Sequence, residues 1–385
     1  MSMTASLAGL APAPAARGKV LIVSPRYFPF SGGVQNHTYQ IARRMTERGL
    51  DVTVLTSNPN GDLPASEVLD GVSVARVPAM PRGRDYYFAP AMYGIIARGG
   101  WSVVHVQSYH TLVAPMAMYA AYRAGIPYVV TLHGGGHSSR LRQVLRGLHW
   151  RLLGPLLRRA DRLIATARFE QTFFGKLLGI PPEKFIYIPN GGDLPDIGTP
   201  PAPPTDRTLV VSIGRLERYK GHHRVIRAFP QVLAQRPDAF LWVAGAGPDA
   251  QKLKDLAAQL GIADRVDVRA VPASDRAEMA RQLARAHLVV SMSDYETHPM
   301  AILEAVALRR SVLVADSPGL NEIAEDGMAR AIPRGSSTAA LAEAMLAQLA
   351  APLDPPAPKL NTWDSCTDEV MALYRAVTAG RLATV

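Results

Sequence analysis

The segment DYETHPMAILE (Asp294–Glu304) carries two glutamates, Glu296 and Glu304, with seven residues between them. A helix beginning near Met300 would place Glu304 on its second turn and leave Glu296 in the preceding loop. The two acids and the free N–H groups of a helix start would then form a polar cup suited to sugar hydroxyls and a ribose. An N-terminal acid followed by an exposed helix glutamate reads the same way in letters. A second cluster is SIGRLERYKG (Ser212–Gly221), where Gly214 is followed by Arg215 and Lys220 at a strand end. The planar fork of an arginine and the point charge of a lysine suit a diphosphate, although a solvated basic loop has the same composition. Gly245 and Gly247 end the next strand and open a helix, a turn that admits close approach of a ligand to backbone. Gly32 and Gly33, in PFSGGVQNH, follow the first strand and precede a helix whose free N–H groups would receive an anion. No third glycine follows at the spacing of a dinucleotide fingerprint.

The elements that must position these residues alternate along the whole chain. Apolar runs at Lys19–Ser24, Val52–Leu55, Val72–Arg76, Val103–Val106 and Tyr128–Leu132 read as strands, and Gln35–Gly49 reads as a helix. KVLIVS has no polar face, as expected of a parallel strand covered on both sides. The proline-rich stretch Pro195–Arg207 reads as a linker. Strands then recur at Leu209–Ile213, Phe240–Ala244, Val266–Val271, Leu288–Met292 and Ser311–Ala315, with helices between them and further helices at Thr338–Leu349 and Ser365–Ala379. The expectation is an α/β protein with two doubly wound parallel-sheet domains facing across a cleft, where the C-terminal strand ends of open α/β sheets bind ligands. The expected division is a tail over 1–17, a domain over 18–194, the linker 195–207, a domain over 208–363 and a C-terminal helix over 364–385 that returns to the first domain.

Composition excludes several classes. The chain has 385 residues, enough for two domains at about 150 residues each. With 48% apolar and 19% charged residues it is neither disordered nor fibrous. A single cysteine, Cys366, excludes a disulfide framework and fits a reducing compartment. The longest charge-free stretch, Gly99–Tyr122, is interrupted by polar residues and cannot span a bilayer. No lysine or arginine precedes Arg17, so the basic start of a secretory signal is missing, and a cytoplasmic protein is expected. The net charge of +10 is one-sided. Residues up to Leu194 hold 21 basic against 10 acidic side chains, whereas Pro195–Trp363 is balanced at 19 of each. Such a field faces a polyanion: phosphates of a ligand, an anionic membrane or nucleic acid.

In order, spacing and strand context the motifs resemble the retaining GT-B glycosyltransferases of family 4, also called glycosyltransferase group 1. The matching stretches are SGGVQNHTYQIARRMTERGLDVTVLT, VVTLHGG, YIPNGGD, VSIGRLERYKG, VAGAGP and the two spaced glutamates, and they run from Lys19 to about Ala315. The resemblance implies a nucleoside-diphosphate-sugar donor, held in the cleft without a cofactor or bound metal. Arg215 and Lys220 would neutralise the diphosphate beside Gly214, Gly245 and Gly247, with the Gly32–Gly33 loop closing from the other domain. Glu304 would bind the ribose, Glu296 the donor-sugar hydroxyls, Met300 would lie on the donor side, and His133 would stand beside the reacting sugar. His133, Glu296, Arg215 and Lys220 are the residues given catalytic roles. Charge stabilisation by Arg215, Lys220 and backbone dipoles needs no proton donor on the leaving group.

The chain departs from the family pattern where Gly-Phe-Gly is replaced by Thr297-His298-Pro299, which leaves the donor sugar open. Gln107 stands at a strand end where histidine is common, and Arg309–Arg310 replaces a glycine. The acceptor reading rests on Ser138–Arg162, where Arg140, Arg142, Arg146, Arg151, Arg158, Arg159 and Arg162 oppose one acid, Asp161. Such a segment suits an anionic membrane surface and a lipid-linked, sugar or other small acceptor at the inner membrane face; an amphipathic helix packed on the sheet with solvated arginines has the same pattern. The alternatives are a non-catalytic nucleotide-sugar-binding protein, a nucleotide-sugar epimerase, against which the spaced glutamates argue, and a nucleic-acid-binding protein, for which no binding module is present.

Overall fold

The computed structural model describes residues 18–382 apart from 31, 83–87, 135–149, 152, 193, 273–274 and 357–360. The N-terminal tail and most of Ser138–Arg162 therefore lie outside the described residues. Eight strands form the first sheet: β1 (Lys19–Ser24), β2 (Asp51–Asn58), β3 (Ser66–Leu69), β4 (Val72–Pro78), β5 (Val103–Gln107), β6 (Tyr128–Thr131), β7 (Arg162–Ala165) and β8 (Phe185–Tyr187). Their order is β3-β4-β2-β1-β5-β6-β7-β8. β1 runs parallel to both β2 and β5, and the edge strand β3 pairs antiparallel with β4. The helices between these strands are α1 (Gly33–Glu47), α2 (Ala91–Arg98), α3 (Val113–Arg123) and α4 (Arg168–Leu178). As its sequence requires, β1 is buried from Val20 to Ser24.

The second sheet contains β9 (Thr208–Ile213), β10 (Ala239–Ala244), β11 (Val266–Arg269), β12 (Leu288–Ser291), β13 (Ser311–Asp316) and β14 (Arg330–Pro333). All its pairings are parallel, in the order β11-β10-β9-β12-β13-β14. Helices α5 (His222–Gln235), α6 (Ala250–Gln259), α7 (Arg276–Ala284), α8 (Met300–Ala307), α9 (Leu320–Glu325) and α10 (Thr338–Ala350) accompany it. Alternate residues of one strand feed two cores. Val210, Leu241, Val243 and Val290 pack with Ile226 and Phe229 of α5 and Met345 of α10, while Val211, Trp242, Val289 and Val312 pack with Leu283 of α7 and Ile302 and Val306 of α8. Helices on both faces explain why these strands have no polar side. The order reverses between β9 and β12, and this is the switch point at which open α/β sheets bind ligands beyond the strand ends.

The chain divides into two compact units. One holds the described residues up to Gln107, Thr111–Val129 and the chain from Tyr374; the other holds Ser108–His110 and Val130–Leu373. This division differs from the linear one at Pro195–Arg207. Within the second unit, residues on either side of the linker share bonds: Thr297 with Gly134, Arg168 with Asp326, and Asn361 with Pro189. The last helix, α11 (Trp363–Leu382), brings Tyr374 to the first sheet, where its hydroxyl shares a 2.6 Å hydrogen bond with Nδ1 of the buried His105. Burial pushes His105 down to about 3, so its ring is neutral. At the described end of the arginine-rich segment, residues 153–159 are helical, with Leu153 and Leu157 buried and Arg158 and Arg159 exposed. Among the described residues no helix is long and apolar enough to cross a membrane.

Candidate active site

The loops that leave β9 and β12 at the switch point meet through one ion pair. Lys220 Nζ donates to Glu296 Oε1 at 2.6 Å, and both side chains are only 15% exposed. The β9 loop is shaped by Gly221, whose φ of 76° favours glycine and whose Cβ would lie 2.0 Å from the Met292 carbonyl oxygen. The following residue, His222, is buried. Its Nε2 donates to the Arg215 carbonyl at 3.2 Å, so its Nδ1, 2.8 Å from Ser212 Oγ, accepts from that hydroxyl. A neutral His222 thereby fixes the backbone of Arg215.

The Glu296 loop is held from several sides. The Asp294 N–H donates to the Tyr219 carbonyl, and Arg224 pairs with the Asp294 carboxylate at 2.7 Å. The Glu296 N–H donates to the Pro318 carbonyl at 3.0 Å. Gly319, with φ at 81°, has no room for a side chain, because its Cβ would lie 2.2 Å from the Glu296 carbonyl oxygen. Helix α8 begins at Met300, so Glu304 does lie on its second turn. There it accepts from Arg276 Nη2 at 2.6 Å, a partner 28 residues away in sequence that its own motif gives no sign of. Burial raises the Glu304 carboxyl above its ordinary value, and the Arg276 guanidinium opposes that rise.

Arg215 has a different partner. Its guanidinium is 72% exposed and pairs with Glu217 at 2.5 Å. Gly214, Gly245 and Gly247 serve the packing of two strand-end loops. A Cβ on Gly245 would lie 1.9 Å from the Gly214 carbonyl oxygen, one on Gly247 2.6 Å from that of Leu216, and the Leu216 N–H donates to the Ala246 carbonyl at 2.9 Å. Close backbone approach is therefore real here, and the approaching group is the neighbouring loop. Gly32 and Gly33 open α1 in the first unit, where no side chain caps the helix and no acid occupies its first turn.

His133 follows β6 in a left-handed conformation, φ 46°, and is buried; its carbonyl accepts from His110 Nε2 at 3.1 Å. The next residue, Gly134, donates its N–H to Glu170, a fully buried carboxylate on α4 that sequence reasoning passed over. Glu170 also accepts from the N–H groups of Thr166 at 2.7 Å and Ala167 at 3.2 Å, and burial pushes it up to about 7 against those bonds. Its signal was local: the third residue of a helix, reaching back to bond the helix start. Thr297, His298 and Met300 also line an open depression of about 730 Å³, with Tyr187, Asn190 and Asn361. Lys220, Glu296 and Glu304 do not line it, so it neighbours the carboxylate loop and is not the space between the charged pairs.

Cations and carboxylates thus collect at the switch point of the second sheet, the place where open α/β sheets bind ligands. The model of Glycosyltransferase Family 4 matches residues 31–195, and that of Glycosyl transferases group 1 matches residues 197–359. The chain belongs to these GT-B glycosyltransferases. It is 29% identical to a D-inositol 3-phosphate glycosyltransferase of Nocardiopsis dassonvillei, over 91% of each chain. Among solved structures it is similar to a sucrose-phosphate synthase of Thermosynechococcus elongatus, with TM-score 0.75 and 19% identity over 94% of this chain and 100% of that one. It is also similar to Anabaena Alr3699/HepE in complex with UDP and glucose, with TM-score 0.68 and 18% identity over 96% of this chain and 100% of that one.

The state of His222 predicts a pH response. Burial lowers its pKa from 6.5 to about 4, so between those values the unfolded chain binds more protons than the folded one. The contribution of His222 to stability is present above pH 6.5 and is lost as pH falls towards 4. Thermal unfolding followed by circular dichroism should show the midpoint falling over this range, and His222→Gln should flatten the fall. An unchanged slope in the variant would refute the neutral, doubly bonded His222.

Proposed function

We propose that this glycosyltransferase moves a sugar, with retention of anomeric configuration and without a bound metal, from a nucleoside-diphosphate sugar to a hydroxyl of an anionic acceptor. The observation that carries the reading is the Lys220–Glu296 pair at the switch point, with Glu304 on the helix that follows. When the bond from the anomeric carbon to the phosphate oxygen breaks, negative charge collects on the departing diphosphate. Lys220 and Arg215, on one loop, supply the compensating charge. Arg215 is exposed and free to turn from Glu217 towards a phosphate, whereas Lys220 is already placed beside Glu296. Glu296 and Glu304 accept hydrogen bonds from sugar and ribose hydroxyls, and His133 stands beside the reacting sugar. The relative that acts on D-inositol 3-phosphate supports a phosphorylated acceptor, as does the excess of 21 basic over 10 acidic residues before Pro195. An anionic acceptor at a membrane surface suits the seven arginines of Ser138–Arg162.

Loss of one such cation is commonly worth about 3 kcal/mol in the transition state, roughly a hundredfold in rate. Turnover measured against a panel of nucleotide sugars should therefore fall about that far in Lys220→Ala, which also unpairs Glu296, and less in Arg215→Ala, whose side chain is more exposed. Chelation should leave the wild type unchanged. Near-normal turnover in both variants, or activity restored only by added magnesium or manganese, would overturn the assignment.

Surface adsorption is a separate expectation. Each basic residue near an anionic bilayer contributes about 1 kcal/mol. Co-sedimentation with vesicles of phosphatidylserine and phosphatidylcholine should appear at low salt, weaken as salt rises, and fall when Arg142, Arg146 and Arg151 become Gln. A wild type that ignores these vesicles at low salt would make the acceptor a soluble one.

A further inference from the structure

Three residues join Glu296 to helix α8, and all three depart from the family's Gly-Phe-Gly: Thr297, His298 and Pro299. A Gly-Phe-Gly in this place would offer no side-chain hydrogen bond. Here two polar side chains leave the loop in its stead. The Thr297 hydroxyl donates to the Gly134 carbonyl at 2.5 Å, across 163 residues of sequence, and stands 3.5 Å from the Tyr295 hydroxyl. The His298 ring lines the same depression as Asn190, and burial, which lowers its pKa to about 4, keeps it neutral. The Asn190 segment is itself fixed, because Asn361 Nδ2 donates to the Pro189 carbonyl at 2.9 Å and the Gly192 N–H donates to the Asn361 carbonyl at 2.8 Å.

The other end of the Thr297 bond is equally constrained. Gly134 is gripped on its N–H by Glu170 and on its carbonyl by Thr297. It has no space for a side chain, since a Cβ would lie 2.2 Å from the Tyr295 hydroxyl and 2.5 Å from Glu170 Oε1. The Phe169 ring meets the Tyr295 ring edge-on at 5.6 Å. The turn that carries His133 and the loop that carries Glu296 are thus joined by one short hydrogen bond, with aromatic and carboxylate groups packed around it. On its far side the Glu296 backbone already rests against Gly319 and Pro318. The Thr297 bond restrains the loop on the side of the His133 turn.

We propose that Thr297 is a positioning residue that ties the Glu296 loop to the His133 turn, and so fixes the separation of the two side chains that meet the donor sugar. The inference rests on the transfer reading given above. It assigns to the departure from Gly-Phe-Gly a definite role: the loop is held by a side chain in place of the geometry that glycines permit. Thr297 does not touch the diphosphate in this account, so the binding of the nucleotide portion is independent of it.

The test compares wild type, Thr297→Val and Thr297→Ser. Valine keeps the volume of threonine without the hydroxyl, and serine restores the hydroxyl. Affinities for UDP, GDP and ADP are measured by calorimetry, and kcat and donor KM by turnover of the matching nucleotide sugars. A displacement of about 1 Å between reacting groups can cost on the order of a hundredfold in rate. Thr297→Val should lose about tenfold to a hundredfold in kcat, with diphosphate affinity and donor KM within about threefold of wild type. Thr297→Ser should recover most of the loss. Wild-type kcat in Thr297→Val, or no recovery in a Thr297→Ser protein that still binds the diphosphate, overturns the positioning role alone. A wild type that neither binds a diphosphate nor turns over a nucleotide sugar overturns the transfer reading, and the positioning role with it.

Discussion

A lysine and a glutamate held 2.6 Å apart, each largely withdrawn from water, constitute an expensive arrangement. Desolvating two such charges costs several kcal/mol per ion before their attraction returns any of it, and an apolar pair of similar size is often as stable. The pair between Lys220 and Glu296 is therefore poorly explained as a stabilising device. It is better explained as a poised site, in which a cation and a carboxylate are kept ready for ligands that bring the opposite charge and free hydroxyls. Much of the surrounding structure serves that constraint. Gly221 and Gly319 give up side chains so that Met292 and Glu296 can come close, Arg224 anchors Asp294, and His222 holds the carbonyl of Arg215.

The sheet order explains why this pair is where it is. β9 and β12 are neighbours in space but not in sequence, and the helices that follow them leave on opposite faces of the sheet. The loops between diverging helices cannot close over the strand ends, so polar groups collect there and remain accessible. Lys220 arrives from one loop and Glu296 from the other. Glu304, one turn further along α8, is positioned by a partner from a third element, Arg276 of α7. The site is thus assembled from three segments: the β9 loop with Lys220, the β12 loop and α8 with Glu296 and Glu304, and α7 with Arg276.

Much of this was legible in the letters. The strand Lys19–Ser24 lies where its unbroken apolar run puts it, and the strands at Leu209–Ile213 and Ser311–Ala315 differ from those observed by one residue. Burial on both faces makes such runs conspicuous. The elements that escaped include short ones: β3 at a sheet edge, β7 and β8 of four and three residues, β14 with three of four residues exposed, and the six-residue helix α9. Each is too short or too exposed for a period to emerge. In the site, the charged residues of each motif could be read, but their partners could not. Arg276 is 28 residues from Glu304, and Gly134 is 163 from Thr297, distances over which one sequence carries no pairing signal. The glycines Gly245 and Gly247 show the same limit, because a turn that admits a ligand and one that admits a neighbouring loop are spelled alike.

The central claim is that Lys220 and Glu296 act as one unit and not as two independent contacts. A double-mutant cycle on kcat, with Lys220→Met, Glu296→Gln and the two combined, tests it most directly. Residues in contact within one charged network couple by about 0.5–3 kcal/mol, whereas independent sites add to within about 0.5 kcal/mol. The account predicts that the double variant is little worse than the poorer single one, with a coupling of about 1 kcal/mol or more. Losses that simply add would contradict it.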